Sequence, residues 1–282
     1  MRVEDQQRQR DTGGGPEIEP GLFGRVNNYF LLIYAFACYL MASSLSGLLY
    51  LGGRVTLSVM VPAVIGYLLP LWVLTARYGL GLARQMRLGR PDAPTAVLVL
   101  AASAAVIYPF DSVTWLFERW RPADSDYISI LLAFKPKGML HFLAMALGMA
   151  VLTPLGEEML FRGLVQQTFR RNMGAAAAVF LSGLVFGVSH GTLFLIPGAA
   201  LLGMMIAWVF QRTGNLIYAV MIHAVFNFVS LWRLHGATEE SLRATGGPGP
   251  DWRWLLGSAI VLVMVLRMLA GRTRGERDAG GT

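Results

Sequence analysis

Two adjacent carboxylates and an arginine interrupt a stretch of the sequence that otherwise has the composition of a membrane-spanning helix. Glu157 and Glu158 follow an uncharged apolar run, residues 139–155, and Arg162 lies four residues after Glu158. An ionised side chain at the centre of a bilayer costs about 2.5–3.5 kcal/mol on insertion scales. Because the chain keeps three such side chains at this cost, we expect them to have a function.

Two further polar pairs lie in apolar segments downstream, Phe186 with His190 and His223 with Asn227. In a helix, each pair would lie one turn apart on one face. A carboxylate in such surroundings can act as a general base, and an imidazole can share a water molecule with it. A second imidazole and an amide can donate hydrogen bonds to a developing oxyanion. Two histidines and a carboxylate also suit zinc, so Glu157, His190 and His223 are candidate metal ligands and both chemistries stay open.

Each polar group also has a simpler interpretation when it is taken alone. Glu158 and Arg162 could form an ion pair that only holds two helices together, and a single histidine in a membrane is more often a packing residue than a catalyst. The pair at 223 and 227 could be interhelical hydrogen-bonding residues, and Phe186 packs in any interpretation. Together, on three helices, the groups indicate one convergent site.

The spacing of Glu157 and His190 favours such convergence. Only one turn signal, RRNMG at residues 170–174, lies between them, and each residue is about 16 positions from it. At 1.5 Å per residue, both lie roughly 24 Å from the turn, so an antiparallel hairpin would place them at the same depth. Glu158 and Arg162 have the spacing of a helical ion pair, whereas Glu157 points about 100° away and is free for another partner.

Composition excludes a soluble globular domain. Of 282 residues, 55% are hydrophobic and only 15% are charged, and the mean hydropathy is +0.51. The net charge of +7 comes mainly from arginines that flank apolar runs, so no nucleic-acid partner is expected. The single cysteine, Cys38, excludes a disulfide framework or a cysteine-based metal site.

The apolar runs predict an all-α protein, a polytopic transmembrane helical bundle of about eight spans with a long fourth helix. The predicted spans are residues 29–51, 55–76, 93–117, 139–171, 174–190, 196–211, 216–234 and 252–269. The predicted regions are a disordered polar tail (1–24), spans one to three with a loop (25–138), the core with spans four to seven (139–234), and a loop, last span and basic tail (235–282). An even number of spans puts both termini on one side, and the distribution of basic residues favours the cytoplasm.

Three motifs in this order resemble those of the CPBP family, the CAAX proteases and bacteriocin-processing enzymes also called the abortive-infection family and related to the Ras-converting CAAX endopeptidase. The motifs are EExxxR (Glu157, Glu158, Arg162), FxxxH (Phe186, His190) and HxxxN (His223, Asn227). The resemblance covers about residues 139–232, and the other spans agree only in general character.

The resemblance implies an intramembrane peptidase. Glu157 would be the general base, His190 would help to activate water, and His223 and Asn227 would form the oxyanion hole. The supporting residues would be Glu158, Arg162 and Phe186. Members of the family have been described both as metal-dependent and as metal-free glutamic proteases, so a divalent metal such as zinc stays a candidate cofactor.

The predicted function is therefore an endopeptidase that cleaves near the C-terminus or the membrane anchor of a protein or peptide substrate within a lipid bilayer. Two alternatives are a non-proteolytic binding or immunity protein of the same fold and a proton-coupled transporter. The transporter is less favoured because the glutamate pair has no counterpart in an inverted repeat. Only two of the 24 basic residues are lysines, which suggests a GC-rich, bacterial source. The expected location is then the bacterial cytoplasmic (inner) membrane, where a peptide or surface-protein anchor is a more plausible substrate than a prenylated CAAX protein.

Overall fold

The computed structural model describes residues 21–243 and 249–279, which form helices connected by short loops and contain no strand. The eight long helices are α1 (Asn28–Leu51), α2 (Val55–Arg77), α3 (Ala93–Trp120), α4 (Met139–Met173), α5 (Ala175–Ser189), α6 (Ile196–Thr213), α7 (Leu216–Gly236) and α8 (Trp252–Ala279). Short helices lie at Leu22–Arg25, Leu82–Gln85, Ser125–Phe134 and Glu239–Arg243.

The predicted all-α transmembrane bundle is confirmed. Within the described ranges, six helices are long and apolar enough to cross a membrane: α1, α2, α3, α4, α7 and α8. The other two predicted spans correspond to α5, an apolar helix of 15 residues, and to α6, which has 18 residues. The fourth helix is the longest of the candidate spans, with 35 residues. The placement of the termini on the cytoplasmic side stays a prediction.

The connection between α4 and α5 is the predicted RRNMG turn. Gly174 joins the two helices with φ 83°, a conformation that glycine adopts without the steric cost other residues meet. The α5 helix then returns along α4 and ends at Ser189, where Gly191 again has a positive φ of 71°. This hairpin brings the end of α5 back to the level of the glutamates on α4.

Segments of π-helix interrupt α2 and α4 beside the candidate site. They cover Pro62–Leu68 in α2 and both Leu147–Leu152 and Phe161–Gln166 in α4. The α-helical stretch between the two α4 segments, Thr153–Leu160, carries the two glutamates. Because a π turn rotates the following residues and alters the backbone hydrogen-bond ladder, such segments often lie at functional sites.

Glycines let α5 and α6 approach each other closely. A Cβ atom added at Gly187 would lie 2.7 Å from the Cβ of Ala200, and one added at Gly203 would lie 2.8 Å from a ring carbon of Phe186. Small residues at helix contacts are the usual means of close packing in membranes. The absence of a side chain at Gly203 therefore makes room for the Phe186 ring.

One polar cluster ties α3, α7 and α8 together at the face where α3 begins. The carboxylate of Asp92 caps α3 by accepting from the Thr95 amide at 2.9 Å, and it also accepts from the Tyr218 hydroxyl at 2.6 Å and the Arg272 guanidinium at 2.9 Å. These bonds anchor the start of α7, the helix that carries the histidine and asparagine of the third motif.

The predicted boundaries differ from the structure near both ends of the chain. The tail was expected to end at residue 24, whereas Leu22–Arg25 is helical and Leu22 is completely buried; residues 1–20 lie outside the described part. The loop expected from residue 235 contains the short helix Glu239–Arg243, and residues 244–248 are not described. The last helix continues to Ala279, ten residues beyond its predicted end at 269.

Candidate active site

The ion pair predicted within α4 is present and completely buried. The Nε atom of Arg162 lies 3.1 Å from Oε2 of Glu158, although the angles are not those of a hydrogen bond. The Nη2 atom of Arg162 donates to the Gly203 carbonyl at 2.9 Å, and the guanidinium lies 4.7 Å from the centre of the Phe186 ring. The arginine therefore compensates the Glu158 charge and also joins α4 to α5 and α6.

His223 on α7 lies between the two glutamates. Its Nδ1 atom is 2.8 Å from Oε1 of Glu158, and its Nε2 atom is 3.8 Å from Oε2 of Glu157. A carboxylate can only accept, so Nδ1 carries a hydrogen. The contact with Glu158 thus fixes the ring so that the second nitrogen is turned towards Glu157.

His190 lies at the C-terminal end of α5 and is oriented by the same helix. Its Nδ1 atom is 2.8 Å from the Phe186 carbonyl oxygen, which can only accept, and this leaves Nε2 without a partner in the helix. The Phe186 ring is completely buried between the two imidazoles, with ring centres 4.7 Å from His190 and 5.4 Å from His223. Phe186 is therefore the packing residue that both histidines share.

Asn227 lies one turn after His223 and joins α7 to α4. Its side-chain nitrogen donates to the Met149 carbonyl at 2.8 Å, within the first π-helical segment of α4. An amide group has two hydrogens, so the second remains for another acceptor.

Three of the predicted catalytic residues line one cavity of about 400 Å³: Glu157, His190 and Asn227. His223 is 2% exposed and lies behind this wall with Glu158 and Arg162. Hydroxyl groups make up much of the remaining polar lining. They belong to Tyr39, Ser43, Ser46, Ser58, Tyr67, Thr153 and Ser189.

The cavity extends from the glutamates towards one face of the bundle. Its far lining comes from Ser46 near the end of α1, from Ser58 near the start of α2, and from Phe134. The Ser46 hydroxyl donates to the Ser58 carbonyl at 2.8 Å, so these two positions lie at one level. The start of α1 lies at the α4–α5 turn, where Asn28 donates to Asn172, so the α1–α2 connection is on the opposite face and the cavity extends towards it.

Comparison with known proteins finds a family that is similar to the segment carrying these residues. The family model described as type II CAAX prenyl endopeptidase, Rce1-like, matches residues 139–229, from the start of α4 into α7. The similarity to these endopeptidases covers the segment that carries all three motifs. Human CAAX prenyl protease 2 is 31% identical in an alignment of 113 positions that covers 33% of this chain and 34% of the human protein. The chain thus spans about a third of the length of that relative, and no solved structure matches it.

A metal centre is not preassembled in the described part of the chain. Among the described residues, no group of three or more His, Cys, Asp or Glu side chains is arranged to hold a metal ion. The candidate ligands Glu157, His190 and His223 therefore do not form such a group in this structure.

The aromatic hydroxyls of the cavity are site residues that sequence reasoning missed. Tyr39 on α1 donates to the Ser189 carbonyl at 2.8 Å and so holds the residue that precedes His190. Tyr67 reaches the cavity from the π-helical part of α2. The available signal was a tyrosine at the centre of an apolar span, where its hydroxyl needs a partner.

Proposed function

We propose that this protein is an intramembrane endopeptidase that hydrolyses a peptide bond near the C-terminus or the membrane anchor of a protein or peptide substrate. The observation that carries the proposal is the cavity inside the helical bundle, where Glu157 and His190 face the same space and His223 is held behind them by a buried carboxylate. The similarity of residues 139–229 to CAAX prenyl endopeptidases supports an acyl-transfer reaction to water at this site.

In the proposed reaction, Glu157 removes a proton from a water molecule that it shares with Nε2 of His190. The oxygen of that water attacks the carbonyl carbon of the substrate, and the carbonyl electrons move to the oxygen as an oxyanion. Asn227, through its second amide hydrogen, and the Nε2–H of a protonated His223 donate to this oxyanion. The C–N bond then breaks, the amine takes the proton held by Glu157, and the products are a carboxylic acid and an amine.

The buried network behind the cavity positions these groups. Glu158 fixes the ring of His223 through Nδ1, and Arg162 compensates the charge of Glu158. A carboxylate–histidine contact of this kind orients the ring. The role of this network is thus orientation and charge balance, while Glu157 carries out the proton transfer.

The depth of the site indicates which part of a substrate it would cleave. Glu157 lies about 16 residues, roughly 24 Å, from the α4–α5 turn, and α4 begins at Met139, about as far away on the other side, so the reacting bond must enter deep into the bundle from either face. A segment next to a membrane anchor meets this requirement. The human relative's name refers to prenylated CAAX proteins. For this chain we propose the broader class, a peptide segment next to a lipid or helical anchor.

A panel of fluorogenic anchored peptides, incubated with the purified protein in nanodiscs, tests the proposal. Glu157→Gln keeps the shape of the side chain and removes the base, so turnover should fall by about 10²–10⁴-fold. The matched control is Glu240→Gln on the exposed helix Glu239–Arg243, which should leave turnover unchanged. Unchanged turnover in Glu157→Gln would refute the endopeptidase.

Three further measurements separate the remaining mechanisms and functions. Metal analysis of the active preparation, with turnover before and after chelation, distinguishes a metal-dependent from a glutamic enzyme. If no peptide is cleaved and a Glu157→Gln gene complements a deletion strain, the binding or immunity function replaces the proposal. Proton flux in liposomes that depends on Glu157 would favour the transporter.

A further inference from the structure

Tyr67 places a hydroxyl in the cavity from a helix that carries none of the three sequence motifs. It lies in the π-helical segment Pro62–Leu68 of α2 and lines the same cavity as Glu157. Its ring packs directly on α4, because a Cβ atom added at Gly156 would lie 2.9 Å from the Tyr67 Cβ and 3.0 Å from a ring carbon. The backbone that Tyr67 touches is therefore that of the residue preceding the proposed base.

The hydroxyl of Tyr67 is not used by the fold. The side chain is 6% exposed, yet no described group forms a hydrogen bond with its oxygen, which is accessible to the cavity rather than sealed off. Tyr218, the other buried tyrosine of the described residues at 3% exposed, donates to Asp92. Buried tyrosine hydroxyls usually have a partner, and phenylalanine would fill the same space without needing one.

We propose that Tyr67 is a further catalytic residue, whose hydroxyl donates a hydrogen bond to a carbonyl oxygen of the peptide held in the cavity. This inference rests on the proposed function. No group among the described residues accepts from this hydroxyl, so we assign the acceptor to the bound molecule, and a peptide backbone offers a carbonyl at every residue. The ring is held on one side by the α4 backbone at Gly156, so the donor is preorganised beside Glu157.

The close contact between α1 and α2 keeps this donor in place. A Cβ atom added at Gly66 would lie 2.5 Å from the Cβ of Ala42, so the residue before Tyr67 is pressed against α1. A donor fixed in this way loses little conformational freedom when the substrate binds. It can therefore stabilise the reacting peptide without reorganisation.

The test compares Tyr67→Phe with Tyr34→Phe, the same chemical change at a tyrosine outside the cavity. The Tyr34 hydroxyl donates to the Pro70 carbonyl at 2.7 Å and has a purely structural partner. We expect Tyr67→Phe to lower kcat/KM by about tenfold or more with an unchanged melting temperature, because it removes a donor that only the substrate uses. Tyr34→Phe should give the reverse, a lower melting temperature with unchanged kcat/KM.

A second measurement does not depend on turnover. In the Glu157→Gln background, the affinity for an uncleaved anchored peptide is measured by titration with and without Tyr67→Phe. Weaker binding or lower kcat/KM on loss of the hydroxyl supports the contact. If Tyr67→Phe leaves both kcat/KM and peptide affinity unchanged while Glu157→Gln abolishes turnover, the endopeptidase function is supported and the Tyr67 contact is refuted. If the unmodified protein cleaves no peptide, the proposed function and the catalytic role of Tyr67 both fail, and the binding assay then tests only the hydrogen bond to a bound peptide.

Discussion

Replacing Arg162 with methionine tests whether the buried charges of Glu158 and Arg162 stabilise each other in the folded protein. The substitution keeps an apolar stem of similar length in the space between α4, α5 and α6 and removes the charge. It also removes the hydrogen bond to the Gly203 carbonyl and the contact with the face of Phe186. Glu158 is then left completely buried with no cation on its own helix, and only His223 can compensate it.

The size of the effect follows from these contacts. Breaking a buried pair by removing one partner costs about 3–5 kcal/mol, because the other charge stays uncompensated. The lost hydrogen bond from a charged donor accounts for about 1.5–3 kcal/mol within that sum. Glu158→Gln should lower the free energy of unfolding by less, about 2 kcal/mol, because an amide oxygen can still accept from His223. Arg162 also keeps its hydrogen bond to the Gly203 carbonyl and its contact with the Phe186 ring.

The assay is a double-mutant cycle on the free energy of unfolding, measured in bicelles for Arg162→Met, Glu158→Gln and the double variant. Removing both charges together abolishes the imbalance, so the double variant should be more stable than the sum of the single effects predicts, by about 1–3 kcal/mol. The exposed pair of Asp111 and Arg233, at 2.7 Å, is the control. Because its side chains are 39% and 55% exposed, its coupling should be about 0–1 kcal/mol.

Two results would refute this reasoning. Strictly additive effects at Glu158 and Arg162 would mean that the two charges do not depend on each other in the folded protein. A coupling no larger than that of Asp111 and Arg233 would mean that burial does not strengthen the interaction. In either case the network behind the cavity would not have the charge-balancing role assigned to it.

The remaining predictions concern the packing behind the histidines and the mouth of the cavity. Gly203→Ala should lower stability by about 1–3 kcal/mol and also reduce turnover, since its Cβ would lie 2.8 Å from the ring of Phe186; thermal unfolding and peptide cleavage check this, and an unchanged rate would contradict it. In a Cys38→Ala background, Ser46→Cys should react with an impermeant maleimide from the membrane face opposite to the one that labels Arg171→Cys, and labelling of both from one face would contradict the assigned opening.

The hairpin and the spans could be predicted from the sequence because they depend on regular spacing. Residues 170–174 are the only turn signal between two apolar runs, and equal distances from that turn put Glu157 and His190 at one level. The ends of the chain were less predictable. Leu22 belongs to an otherwise polar segment, and its burial depends on a pocket that only the folded bundle provides.

The site was predictable as a set of residue types but not in its contacts. The i,i+4 spacing predicts the pair of Glu158 and Arg162, and the structure contains it. The contact between Glu158 and His223 crosses 65 positions of sequence, and the approach of Tyr67 depends on the local rotation of α2 in a π-helical segment. Neither has a periodic signal, because each depends on how two helices are rotated against each other.

The contact between His223 and Glu158 affects the net charge of the site during the proposed reaction. With His223 protonated, the four groups Glu157, Glu158, Arg162 and His223 carry two negative and two positive charges. When Glu157 takes a proton from water and the oxyanion forms, one negative charge moves from its carboxylate to the substrate oxygen, and the total stays the same. The Nε2 atom of His223 lies 3.8 Å from Glu157 before the reaction. It is therefore a donor close to the Glu157 carboxylate, where the negative charge begins, and to the substrate oxygen, where the charge ends. A buried site gains from this arrangement because it has to displace a charge over a short distance rather than create one in a medium of low dielectric constant.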